Sequence, residues 1–229
     1  MCNGYKLGTE TRGDFENMIC DDLRAYGGST IAIWSVDGSR VRGVEVSNVQ
    51  ASDSRFAIGV RLGARLRESY FGEGETRVPG IMEDVVIRDV DIEMSDRSFR
   101  DVLLDHGIDN AEIAHELMAR PAAASFISGL PEHPVRNVLL ENVRIAHPGG
   151  GTEDEVLIEV PERATAYPNA AMFGRLPAWG FYLRDAQGIT LRNLVLELMA
   201  PDGRPPIHNE DLPDDEVTIE DLSVVEGWR

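Results

Sequence analysis

The sequence predicts an all-β fold, a parallel β-helix of about six stacked coils. Three observations predict it: a nine-residue phrase recurs six times, a short second strand precedes each copy, and most units lack a helix. The 229 residues have an ordinary globular composition, with 42% hydrophobic and 27% charged side chains, which excludes a disordered or collagen-like chain. We therefore expect a single β-helix domain over residues 1–229.

The repeated phrase is defined by four of its positions. In every copy the fourth, sixth and ninth residues are apolar, and the eighth is Asn or Asp. The shorter spacings between copies fit a repeat of about 25 residues, and the longer ones imply the same unit with inserted loops. Asn and Asp tolerate a left-handed backbone at a corner and can form side-chain ladders between coils. The eighth-position residues, which we expect along one edge of the solenoid, are Asp22, Asn48, Asp89, Asn142, Asn193 and Asp221.

A second strand is predicted before each copy, at residues 4–8, 29–35, 56–62, 125–130, 179–185 and 205–210. Two strands per unit without a crossover helix cannot build a doubly wound sheet, whereas stacked parallel coils accommodate them. A β-sandwich of short strands shows the same alternation and is the alternative, but it does not require a repeated phrase.

Two segments interrupt the repeats. Residues 99–124 form a predicted insertion, in which 109–119 is expected to be helical because Asp109 and Glu112 make a capping-box pattern. Residues 146–178 show little periodicity and predict a long loop. Loops of this length on a rigid scaffold commonly shape a ligand groove.

Charge and cysteine content exclude several partners. The chain carries 40 acidic against 22 basic side chains, a net charge of -18, which argues against binding to nucleic acid or to an anionic membrane surface. No apolar run approaches the roughly 20 residues that cross a bilayer, and the first ten residues lack the apolar core of a signal peptide. Cys2 and Cys20 are too few for a disulfide framework, and the five histidines lack ligand spacing. We expect neither a metal nor an organic cofactor, and localisation is left open.

Three stretches carry a resemblance to a known family: 3–18, 36–49 and 167–194. Their order and spacing resemble glycoside hydrolase family twenty-eight, and they are most similar to its polygalacturonase-like and rhamnogalacturonan-acting bacterial members. The resemblance covers most of the chain and is weakest over 99–133. It implies a right-handed, single-stranded β-helix that hydrolyses pectic glycosidic bonds with inversion and without a cofactor. Family members are often secreted or periplasmic.

The resemblance leaves the catalytic residues unknown. Inverting hydrolysis needs a carboxylic acid and a carboxylate base about 6.5–9.5 Å apart. The family supplies them from an Asn-Thr-Asp motif and an Asp-Asp pair, which would both lie upstream of Met1. The following Gly-His-Gly and Arg-Ile-Lys motifs fall on Asn3-Gly4 and on Ala32-Ile33-Trp34, so neither is kept. We expect either a C-terminal portion of a longer enzyme, or a divergent subgroup member or inactive relative, with Glu10 as the remaining catalytic candidate.

Strand alternation selects candidate substrate-binding residues. Aromatic rings stack on sugar C–H surfaces, and guanidinium groups bind uronate carboxylates. The alternative is that these side chains are ordinary solvated residues. The candidates, which face outward from one sheet or lie at its margin, are Asn3, Lys6, Trp34, Arg61, Tyr182 and Arg184.

Three function classes follow. The first is a glycosidase acting on pectic oligo- or polysaccharide, and the second is a non-catalytic carbohydrate-binding or structural β-helix protein. The third is a lyase or epimerase on the same scaffold, which is disfavoured because no outward acidic cluster for Ca²⁺ is predicted near Arg61. We also expect self-association through an exposed N-terminal coil, because unpaired parallel strands offer backbone groups to another molecule.

Overall fold

Short and long strands alternate along the chain. The computed structural model describes residues 3–97, 104–105, 107 and 122–227. Its strands, in chain order, are β1 (Asn3–Leu7), β2 (Phe15–Tyr26), β3 (Ser29–Ser35), β4 (Arg40–Ser54), β5 (Phe56–Leu62), β6 (Ile81–Met94), β7 (Ser125–Ser128), β8 (Val135–His147), β9 (Phe181–Arg184), β10 (Ala186–Leu198), β11 (Ile207–Glu210) and β12 (Val217–Glu226). Short 3₁₀ helices span Glu68–Tyr70, Glu153–Leu157 and Asp214–Glu216.

The strands form two parallel sheets. The odd-numbered strands make one six-stranded sheet in the order β1-β3-β5-β7-β9-β11, here called the short-strand sheet. The even-numbered strands make the other in the order β2-β4-β6-β8-β10-β12, here called the long-strand sheet. The all-β prediction and the six predicted short strands are confirmed. The sandwich alternative is wrong, because all pairs between these strands are parallel. The arrangement is compatible with a parallel β-helix.

The core lies between the two sheets and is built from columns of aliphatic side chains. Val44, Val85, Val138 and Ile189 occupy the fourth position of their phrases, stand in register on neighbouring strands and are each at most 1% exposed. Burying each such side chain stabilises the fold by about 1.5–3 kcal/mol. The recurring phrase is therefore the sequence signature of stacked core columns.

Two columns of left-handed residues bend the long strands. The eighth-position residues have φ between 50° and 58°, as Asn and Asp at a corner allow. A second column at the third position was not predicted. The residues of both columns are left out of the strand pairing. Because each is left out on both neighbouring strands, the register stays the same along the sheet. The third-position members, with φ between 53° and 65°, are Asn17, Gly43, Asp84, Asn137 and Gly188.

The two predicted interruptions have different outcomes. The expected helix at 109–119, within the insertion 99–124, lies outside the described residues. The predicted loop corresponds to the connection 148–180 between β8 and β9, whose only regular element in the structure is the 3₁₀ helix Glu153–Leu157. Nowhere in the described ranges is a helix long and apolar enough to span a membrane.

Candidate functional site

The outer face of the short-strand sheet carries two rows of side chains that point away from the core. The rows follow the register of the parallel strands. Most of the predicted binding residues belong to them. The first row is Lys6, Ala32, Gly59, Phe126, Tyr182 and His208, and the second is Trp34, Arg61, Ser128, Arg184 and Glu210.

Most of this face is covered by the connection 148–180. Trp34 is 2% exposed, and Phe173 of the connection packs edge-on against Phe126, with ring centroids 5.1 Å apart. This second apolar cluster also includes Tyr182, which is fully buried. We therefore correct the expectation that four of these side chains face a ligand: Trp34, Arg61, Tyr182 and Arg184. The connection excludes solvent from them. Strand alternation does not reveal where this aperiodic segment docks.

Two buried arginines attach the connection to the sheet. Arg61 Nη1 donates to Ser128 Oγ and to the carbonyl of Gly129, each at 2.7 Å, and its Nη2 donates to the carbonyl of Glu162 at 3.0 Å. Arg184 Nη2 reaches the same Glu162 carbonyl at 3.4 Å. Burial lowers the pKa of Arg61 to about 10, which leaves it charged at neutral pH. These arginines fix the connection rather than present a charge to solvent.

Tyr182 contacts the neighbouring strand, β11. Its hydroxyl donates to Glu210 Oε2 at 2.5 Å, and the His208 ring stacks on it with an interplanar angle of 11°. Burial, followed by the bond to Glu210, raises the pKa of Tyr182, so the phenol keeps its proton. Tyr182 is therefore a structural donor.

Glu10 belongs to an ion-pair network near the start of the chain. Its Oε1 accepts from Arg65 Nη1 at 3.3 Å and from Arg67 Nη1 at 2.8 Å. Asp37, which is fully buried, pairs with the same Arg65 and accepts from the backbone N–H of Arg67 at 3.1 Å. Inverting hydrolysis requires an acid and a base that face substrate and water. Because these carboxylates are held by the same two arginines, they do not form such a pair.

Lys6 lies beside Tyr167 on the same side of the molecule. Its Nζ is 5.8 Å from the centroid of the Tyr167 ring, and Thr9 Oγ1 donates to the Tyr167 hydroxyl at 3.5 Å. The hydrogen bond from Thr9, followed by the charge of Lys6, lowers the pKa of Tyr167. Tyr167 is 50% exposed. We call Lys6, Thr9 and Tyr167 the Tyr167 surface; Asn3 is exposed at the start of β1.

A cleft of about 510 Å³ lies along the same connection. We call it the Arg163 cleft; its lining residues include 122–124, Arg163, Asn169, Phe173, Arg175 and Arg204. Arg175 is paired with Glu155 at 3.4 Å, and the buried Arg204 is paired with Asp202 at 2.7 Å. Arg163 is exposed and has no ion pair with any residue that the structure describes.

The chemistry of this cleft suits an anion with hydrogen-bonding groups. Of the residues that the structure describes, three arginines and no acidic side chain line it, although the chain as a whole has a net charge of -18. A guanidinium binds a carboxylate through two parallel hydrogen bonds, and the amide of Asn169 can bond to hydroxyl groups. Across the described ranges, no group of three or more His, Cys, Asp or Glu side chains could hold a metal ion.

The length of this loop predicts a ligand groove, but the sequence pattern does not single out Arg163, Asn169 or Tyr167. One signal was available. The segment 163–175 contains two arginines and no acidic residue, in a chain with 40 acidic residues. That Arg163 lacks a partner is visible only in three dimensions.

Comparison with known proteins adds no relative: no protein-family model matches the chain, and searches of curated proteins and of solved structures find no match. The resemblance to glycoside hydrolase family twenty-eight therefore stays a prediction.

Proposed function

We propose that this chain is a carbohydrate-binding protein that holds acidic oligosaccharides of the pectic class in the Arg163 cleft. The observation that carries the proposal is Arg163 itself, an exposed arginine at this cleft; within the described part of the chain it has no ion pair and the cleft has no acidic lining residue. The resemblance of the sequence to pectin-acting hydrolases selects the uronate class among anionic ligands.

Local charge decides whether such a ligand can bind. An acidic chain repels an anion, and at physiological ionic strength this repulsion is screened beyond about 8 Å. Inside the cleft the nearest charges are therefore the important ones. Arg175 and Arg204 are already neutralised by Glu155 and Asp202, so Arg163 supplies the available positive charge.

We further propose that the two sheets are the walls of a right-handed, single-stranded β-helix of about six coils. Successive strands of each sheet are parallel and are connected through the other sheet. Connections between parallel strands of one sheet are right-handed in about 98% of cases. A crystal structure of the chain tests this handedness.

The binding proposal is tested by calorimetric titration with trigalacturonate. We expect wild type to bind and Arg163→Gln to bind about tenfold more weakly or worse, because a hydrogen-bonded charge pair is lost. Arg136→Gln is the matched control, since it removes the same charge from the long-strand sheet, where Arg136 bonds only to Gln187 at 3.1 Å. Equal affinity of wild type and Arg163→Gln, or no binding by wild type, would overturn the proposal.

The second candidate is hydrolysis of the pectic chain with Glu10 as a catalytic group. It is favoured by the position of Glu10, whose side chain is 47% exposed close to the Tyr167 surface. Acid and base assistance are each worth about 10²–10⁴-fold, and Glu10 lacks a free carboxylate partner among the described residues. We therefore expect a reducing-sugar assay on polygalacturonate to detect no turnover. Turnover that Glu10→Gln abolishes would establish this candidate.

A further inference from the structure

Lys6 is the only lysine among the 229 residues, and it stands on the face that also carries the Arg163 cleft. Like Arg163, it has no ion pair with any residue in the part of the chain that the structure describes. Its Nζ lies over the ring of Tyr167, which is four residues after Arg163 in the same connection. The connection therefore lies beside two cations that have no ion pair with any described residue.

We infer that the binding site extends from the Arg163 cleft across Asn169 to the Tyr167 surface, where Lys6 binds the carboxylate of a second uronate unit. The ligand is then an oligo-uronate of several linked units rather than a single acidic sugar. This inference rests on the proposed function and specifies its ligand.

Asn169 connects the Arg163 cleft to Tyr167. Asn169 Nδ2 donates to the carbonyl of Tyr167 at 3.3 Å, and Asn169 Oδ1 accepts from the backbone of Ala171 at 3.0 Å. These bonds hold Asn169, which lines the cleft, directly beside Tyr167. Both residues are exposed, so a ligand can contact them without moving the connection.

The spacing fits an extended saccharide. Lys6 lies on β1, and the cleft wall at Ala123, which bridges to Phe56 at the start of β5, lies at the level of β7, three strand positions away. Neighbouring parallel strands are about 4.8 Å apart, so the two places are separated by about 14 Å across the sheet. Several linked pyranose rings cover that distance, and one ring does not.

The charges around Lys6 favour an anion. Arg65 shares the Tyr167 ring with Lys6, since its Cζ lies 5.4 Å from the ring centroid, and the carboxylate partners of Arg65 and Arg67 are Glu10 and Asp37. Three cations therefore face two anions. The half-exposed Tyr167, whose hydroxyl is held by the buried Thr9, adds a hydrogen-bonding group beside the Lys6 ammonium.

The test uses the single lysine as its own reporter. Reductive methylation with ¹³C-formaldehyde places NMR-visible methyl groups on Lys6 and the α-amine and keeps the lysine charge. Lys6→Gln identifies the lysine signal by its loss. The methylated chain is titrated with galacturonate, trigalacturonate and hexagalacturonate, and affinities of the unmodified variants are measured in parallel by calorimetry.

We expect the hexamer to shift the Lys6 methyl signal and the monomer, bound at Arg163, to leave it unchanged. Affinity should rise about tenfold or more from monomer to hexamer, because a second charged contact is added. Lys6→Gln should remove this gain without changing monomer affinity, and Arg136→Gln should change neither.

Each failure has a separate meaning. If the hexamer binds no tighter than the monomer and the Lys6 signal stays fixed, while Arg163→Gln still weakens binding, the extension is wrong and the proposed function stands. If neutral oligosaccharides of equal length shift the Lys6 signal as strongly, its role as a carboxylate ligand is wrong. If no uronate of any length binds wild type, the proposed function fails and this inference fails with it.

Discussion

Asn193 donates from Nδ2 to Oδ1 of Asn142 at 2.8 Å, although 51 residues separate them along the chain. Asn142 in turn donates to Asp89 Oδ1 at 2.9 Å. All three residues have left-handed backbones, with φ of 50°, 54° and 56° respectively. One recurring position of the phrase therefore supplies both the bend of each long strand and a hydrogen bond to the neighbouring strand.

Asn142→Ala should separate these two contributions when compared with Asn142→Gly. Alanine cannot form either side-chain hydrogen bond, and a left-handed backbone is unfavourable for it. We therefore expect Asn142→Ala to lower the free energy of unfolding by about 2 kcal/mol. Glycine also cannot form the hydrogen bonds, but it adopts a left-handed backbone readily. We therefore expect Asn142→Gly to lower the free energy of unfolding by about 1 kcal/mol. Urea unfolding of wild type and both variants measures this, and two variants as stable as wild type would contradict the ladder.

His147 should make stability depend on pH. Burial, followed by the charge of Arg204, lowers its pKa from 6.5 to about 4. Unfolded His147 takes up a proton near its ordinary pKa, whereas the folded form resists it, so stability is lost as pH falls from about 6.5 to about 4. Above this window the residue contributes no pH dependence.

The comparison variant is His147→Met, which cannot titrate. Between pH 7.5 and pH 5 we expect wild type to lose about 2 kcal/mol more unfolding free energy than His147→Met. Chemical denaturation at the two pH values measures the difference. His133→Gln is the control and should keep the wild-type dependence; identical pH profiles for wild type and His147→Met would contradict the assignment.

Arg61→Lys should loosen the connection that carries Arg163. A lysine ammonium cannot reproduce the guanidinium fork that spans Ser128, Gly129 and Glu162, so we expect a stability loss of about 2 kcal/mol. Trypsin should then cleave after Arg163 and Arg175 faster than in wild type. Arg88→Lys, on the exposed face of the long-strand sheet, is the matched control. Unchanged cleavage of Arg61→Lys would show that the buried arginine does not hold the connection.

Glu10→Gln should strengthen binding of long oligo-uronates. The substitution removes the carboxylate that pairs with Arg65 and Arg67; Arg65 keeps its pair with Asp37, whereas Arg67 is left without an ion pair among the described residues. We expect the affinity for hexagalacturonate to rise about two- to fivefold, the range of an exposed ion pair, and the affinity for galacturonate to stay constant. Calorimetry measures both, and weaker hexamer binding would argue that Glu10 itself contacts the ligand.

The strands were predictable because parallel strands that stack in register need the same type of residue at the same position of each repeat. Each repeat places its long strand in the same environment, so Val44, Val85 and Val138 share a position in the phrase and a column in the core. The third-position column is not evident from the sequence, because Gly43 and Gly188 stand there among Asn and Asp residues. These residue types look unrelated by hydropathy, although all accept a left-handed backbone.

The site was less predictable because it depends on tertiary contacts. Alternation placed Arg61 and Tyr182 on the outer face, but their burial depends on where Phe173 docks, and the connection has no periodicity to reveal that. The importance of Arg163 likewise comes from the lack of a nearby described partner. Whether Arg163 has an ion-pair partner among the described residues is not visible in the sequence.

The central claim is that this chain binds uronates through their negative charge. The most direct measurement is the dissociation constant of wild type for trigalacturonate against that for its fully methyl-esterified form, which keeps the rings and loses the carboxylates. We expect the ester to bind about tenfold more weakly or worse, because Arg163 loses its charged partner. Equal affinity for the two ligands would contradict the account.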